Sequence, residues 1–119
     1  MGDMLTLLIV FFLLVMAGGA WLAWTESRGR ALPLRFSSAH GVLGIAASVL
    51  LTMQAVDHPD DRLVNVSVVI FMLTALGGLL LFAFRASKQK LPLAVVGLHA
   101  LFALTALVLL CAGMLRGGA

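Results

Sequence analysis

Residues 91–115 read LPLAVVGLHALFALTALVLLCAGML and contain no charged side chain. Such a run exceeds the roughly 20 apolar residues a helix needs to cross a bilayer core of about 30 Å. A helix satisfies its own backbone hydrogen bonds in lipid, so the run reads as a transmembrane helix. Residues 32–56 read LPLRFSSAHGVLGIAASVLLTMQAV and open on the same Leu-Pro-Leu. In both stretches a histidine follows the proline by seven residues, His40 after Pro33 and His99 after Pro92. Two further charge-free runs, Met4 to Thr25 and Leu63 to Phe84, precede these stretches. The fold class expected is an all-α integral membrane protein. It is an antiparallel four-helix transmembrane bundle with helices at about 4–25, 33–56, 63–84 and 91–115, within a single unit spanning 1–119.

Composition agrees. The chain is 62% hydrophobic and 11% charged, with a mean hydropathy of +1.13. Soluble domains are about half apolar and a quarter charged, and disorder needs the reverse balance. One cysteine excludes a disulfide framework. The net charge of +3 does not indicate nucleic acid, because the eight basic residues sit in short gaps between apolar runs. The tail Met1-Gly2-Asp3 has no positive n-region, so the first run reads as a span rather than a leader.

Arginine and lysine set the expected orientation. The first gap holds Glu26, Arg28, Arg30 and Arg35, and the third holds Arg85, Lys88 and Lys90. The middle gap reads Asp57-His58-Pro59-Asp60-Asp61-Arg62. The basic gaps are expected in the cytoplasm, with both termini and the acidic gap outside, in a bacterial inner membrane. Trp21 and Trp24 fit the interface at the end of the first helix.

A shift of 59 residues brings the chain onto itself. Phe12 falls on Phe71, Gly18-Gly19 on Gly77-Gly78, Leu32-Pro33-Leu34 on Leu91-Pro92-Leu93 and His40 on His99. Ala47 falls on Ala106, and Val49-Leu50-Leu51 on Val108-Leu109-Leu110. The bundle reads as two copies of one helical hairpin in the same orientation, with repeat units of about 9–56 and 68–115. Pro33 and Pro92 are expected to open their helices, where a missing N–H costs nothing.

At 1.5 Å per residue the two histidines lie about 10 Å below their helix starts, and the two glycine pairs about 9 Å below the same surface. One layer therefore carries histidine on helices two and four and glycine on helices one and three. An ionisable group at such depth is a functional candidate. Gly44 and Ala47 share a face with His40, and Ala103 and Ala106 share one with His99. Small residues there leave a flat cavity, which a planar macrocycle suits. Haem iron takes axial imidazoles, whereas zinc wants four ligands and none but the histidines lies in the layer. Arg35, with Arg28, Arg30, Arg85, Lys88 and Lys90, is a candidate partner for propionates.

This layout resembles the four-helix cores of membrane b-type cytochromes, such as the haem-bearing bundle of respiratory cytochrome b. The segments His40-Gly41-Val42-Leu43-Gly44 and Leu98-His99-Ala100-Leu101 look like those of small bacterial membrane cytochromes. The resemblance implies one haem b per chain, with His40 and His99 as axial ligands and Gly18, Gly19, Gly77 and Gly78 making room for the porphyrin. It implies electron transfer, as a relay or as the haem-bearing subunit of an oxidoreductase. Such bundles commonly hold two haems and four histidines, and this chain has one intramembrane pair. A lone haem on one side needs a quinone, a redox partner subunit or a second copy to complete a circuit.

Two alternatives stand beside it: a cofactor-free structural or assembly subunit, and a chlorophyll-type pigment binder. Small exporters rely on a membrane-embedded carboxylate, and every Asp and Glu here lies in a gap or tail. His58 reads as part of an exposed turn, Cys111 and the methionines as packing residues.

Overall fold

The computed structural model describes residues 2–30 and 32–117. The tail residue Met1, Ala31 in the first gap, and Gly118 and Ala119 at the end of the unit lie outside the described residues. Among the described residues there are four helices and no strand: α1 Gly2–Ser27, α2 Leu34–Asp57, α3 Arg62–Ala86 and α4 Leu93–Gly117. All four are long and apolar enough to cross a bilayer. Each packs beside its neighbours in sequence, and α4 returns against α1, so the helices form a square bundle of 46 × 19 × 19 Å. Large apolar side chains such as Leu14, Val42, Leu76 and Leu104 cover its outside, the surface a bilayer solvates.

The helix ends are set by local chemistry rather than by the charges alone. Pro33 is the N-cap of α2 rather than its first residue, with φ −54° and ψ 148°. Its carbonyl accepts from Phe36 N–H, and the Pro92 carbonyl accepts from Val95 and Val96 N–H. The prolines were expected to be the first residues of their helices; both sit one position before the observed starts, Leu34 and Leu93, where their fixed φ and missing N–H still suit the helix. At the opposite ends, Arg30 N–H bonds to Thr25 O and Gln89 N–H to Phe84 O, each at 2.9 Å. These are matching helix-closing turns, and the left-handed residue in each is Gly29 (φ 72°) and Lys88 (φ 56°). In the acidic turn the Asp61 side chain caps α3 by accepting from Val64 N–H at 3.1 Å.

The two copies of the hairpin relate by a pseudo-twofold axis along the bundle. Phe12 and Phe71, equivalent in the repeat, stack on each other at 4.0 Å between centroids. Other equivalent pairs are both buried: Leu5 and Val64, Ile9 and Val68, Ala47 and Ala106, Leu51 and Leu110. Buried residues concentrate in the acidic-end half, built from the starts of α1 and α3 and the ends of α2 and α4. In the basic-end half only Thr25 is buried among the described residues. The bundle is tightly packed at one end and loosely packed at the other.

Candidate functional site

His40 and His99 lie where the packed half gives way to the open half. Their rings face each other across the bundle with centroids 6.3 Å apart and planes at 77°. Each imidazole sits against the glycine pair of the preceding helix in its own hairpin. A methyl carbon on Gly19 would fall 2.7 Å from His40 Cε1 and 3.1 Å from Nε2. One on Gly78 would fall 3.0 Å from His99 Cε1. Gly18 and Gly77 stand further off, at 4.0 and 3.7 Å. The second glycine of each pair is therefore the one that admits the ring: a methyl at Gly19 would overlap it, and one at Gly78 would press tightly on it. The glycines were expected to make room for a macrocycle; here the neighbouring histidine fills each notch.

The ring nitrogens are held differently in the two copies. His99 Nδ1 hydrogen-bonds the backbone carbonyl of Thr74 at 2.9 Å. The equivalent carbonyl in the first copy is that of Val15, which neighbours His40 Nδ1. There the geometry of a hydrogen bond is not met, and the buried Nδ1 of His40 is left without a partner among the described residues. An N–H at His99 Nδ1 directed to the Thr74 carbonyl leaves the lone pair of that ring on Nε2.

The small residues beyond the histidines do not enclose the flat cavity expected of them. Ala47 and Ala106 are completely buried in the core. Gly44 is in ordinary contact with Val15, a methyl there lying 3.6 Å from its Cγ1, and Ala103 is half-buried. They form a packed floor, because their small side chains let α2 and α4 each pack closely against the neighbouring helices α1 and α3.

The open half continues to the basic end, where Arg85 turns inward. Its Nη1 pairs with Glu26 at 2.5 Å and its Nη2 donates to Leu32 O at 2.6 Å. Glu26 and Arg85 are also repeat equivalents, so an opposite-charge pair closes the pseudo-twofold axis at this end. Sequence reading missed this pair, although the shift that superposes the histidines superposes these two residues as well. Arg35 is exposed instead, its guanidinium 5.3 Å above the Phe36 ring. Arg85 is thus the basic residue the structure places inside the mouth.

Among the described residues no cluster of three or more metal-ligating side chains occurs. The two imidazoles have ring centroids 6.3 Å apart, with the Cε1 edge of each ring against the glycine notch of its own hairpin. Comparison of the chain with protein-family models, with characterised proteins and with solved structures gives no match.

Proposed function

We propose that this chain is a small membrane b-type cytochrome that holds one haem b between His40 and His99. The observation that carries the reading is the approach of two imidazoles, one from each hairpin, within 6.3 Å at the start of the loosely packed half. Apolar bundles gain nothing from placing two histidines in lipid unless the pair has a use. A haem held by His40 and His99 would supply one-electron redox chemistry, at a potential set by those ligands and their burial. The chain's part is to offer the two imidazoles, orient the His99 ring through the Thr74 carbonyl, and exclude water with the packed floor. Arg85 is the basic group closest to hand for a propionate.

Under this reading the basic end faces the cytoplasm of a bacterial inner membrane. The histidine layer lies nearer one end of the bundle, so a haem held there would need a quinone, a partner subunit or a second copy to complete a circuit. The protein acts as a relay or as a haem-bearing subunit.

A second reading is favoured by one specific contact: the His99–Thr74 bond already joins α4 to α3, as a helix-packing histidine would. A reduced-minus-oxidised spectrum of the purified protein, with a pyridine haemochrome assay, separates the two. The cytochrome reading expects low-spin b-type bands at about one haem per chain. It also expects His40→Ala and His99→Ala each to lose them. A preparation that stays colourless after haem is added would leave a cofactor-free subunit.

A further inference from the structure

A groove of about 290 Å³ runs along the outside of α1 and α2 and opens toward the lipid. Val15, Gly18 and His40 lie toward its inner end, and Trp21, Phe36 and Ala39 toward the basic end. Trp21 and Phe36 pack edge to face at 5.6 Å. Two arginines stand where this end meets the membrane surface. Arg35 lies over Phe36, and Arg28 lies over Trp24, each at 5.3 Å. Both arginines are exposed, so their charges are free to take a counter-ion.

The second hairpin makes a control within the same molecule. Its residues equivalent to Trp21, Phe36 and Ala39 are Leu80, Val95 and Leu98. Those equivalent to Arg28, Arg30 and Arg35 are Ser87, Gln89 and Ala94. The aromatic wall, the small floor residue and the arginines thus occur together in one copy and are all absent from the other. The duplicated scaffold does not require them. A general excess of cytoplasmic charge does not require them either, because the second copy supplies its charge with Lys88 and Lys90 at other positions.

We propose that this groove is a binding site for an anionic phospholipid. One acyl chain lies along the α1–α2 groove, and the phosphate rests between Arg28 and Arg35. Charge complementarity selects the headgroup, since arginine near a membrane surface attracts anionic lipid and forks onto phosphate oxygens. Cation–π contact holds Arg35 over Phe36 at the groove's aromatic rim and Arg28 over Trp24, three residues beyond Trp21 on α1. The site does not depend on the cytochrome reading and stands or falls separately from it.

Of the chain's two tryptophans, Trp21 lines the groove and Trp24 lies under Arg28, so their fluorescence reports on the groove and on one of its arginines. The purified protein is reconstituted in phosphatidylcholine bilayers, with brominated phosphatidylglycerol or brominated phosphatidylcholine added at equal mole fraction. Quenching of tryptophan fluorescence is then read as the ratio between the two lipids. The site predicts stronger quenching by brominated phosphatidylglycerol. Arg28→Gln and Arg35→Gln should each lower that selectivity, by up to about fivefold per arginine. Ala39→Leu, which installs the residue of the second copy, should weaken quenching by both lipids. The arginines are exposed, so their variants carry the test should the groove variant fail to fold. Equal quenching by the two lipids in the unaltered protein overturns the proposal. So does selectivity that survives Arg28→Gln/Arg35→Gln or that disappears in Lys88→Gln/Lys90→Gln instead.

Discussion

Gly19 is the position where a single atom decides the histidine layer. A methyl there falls 2.7 Å from His40 Cε1, a distance real side chains do not hold. Gly19→Ala should therefore destabilise the protein by about 1–3 kcal/mol and lower its haem content. Gly97 is the matching control, with nothing within 4 Å of its added methyl. Gly97→Ala should keep the spectrum and gain about 0.5–1 kcal/mol from helix propensity. Thermal melts in detergent with absorbance on the same samples check both. The sequence shows the Gly-Gly pairs and their level along the helix. It does not show that the second glycine of each pair meets the ring, because that depends on the rotation of one helix against the next.

At the scale of the element, the two basic-end turns are the same device with different residues. Gly29 takes a left-handed conformation at no steric cost, while Lys88 takes it with a Cβ in the way. Lys88→Gly should raise the stability of the second hairpin by about 1 kcal/mol. A higher melting temperature with unchanged helicity is the readout, and an unchanged or lower one counts against the left-handed turn. Helix number and approximate span were legible from the charge-free runs. The ends were less so: α1 runs through Glu26 to Ser27 and stops where the Gly29 turn takes over its last carbonyls. Charge marks the membrane boundary, whereas turn chemistry terminates the helix.

For the whole molecule, the duplication becomes a pseudo-twofold axis with three equivalent pairs along it. Phe12 and Phe71 stack in the packed half, His40 and His99 face each other in the middle, and Glu26 and Arg85 close the basic end. The last pair breaks the symmetry, and opposite charges at equivalent positions give each hairpin a distinct role at the mouth. Arg85 is 13% exposed, so its charge is poorly solvated without Glu26. Arg85→Glu should destabilise the bundle, and adding Glu26→Arg should restore part of the loss. A double-mutant cycle from thermal melts should return a coupling of about 0.5–3 kcal/mol. Strict additivity of the two changes would mean that the pair does not hold the helices together.

The amino-acid sequence alone determined the four membrane-spanning segments, their alternation, the duplicated hairpin and the common depth of histidine and glycine. Those properties are local: they follow from hydropathy, from rise per residue and from residues in register. The tertiary structure decided that the glycine notches are filled by imidazoles, that Ala47 and Ala106 form a closed floor, and that Arg85 rather than Arg35 turns inward. Helices that are apolar on every side carry little signal for which face turns to the core. Their rotations are chosen by packing, and packing is a property of all four helices together.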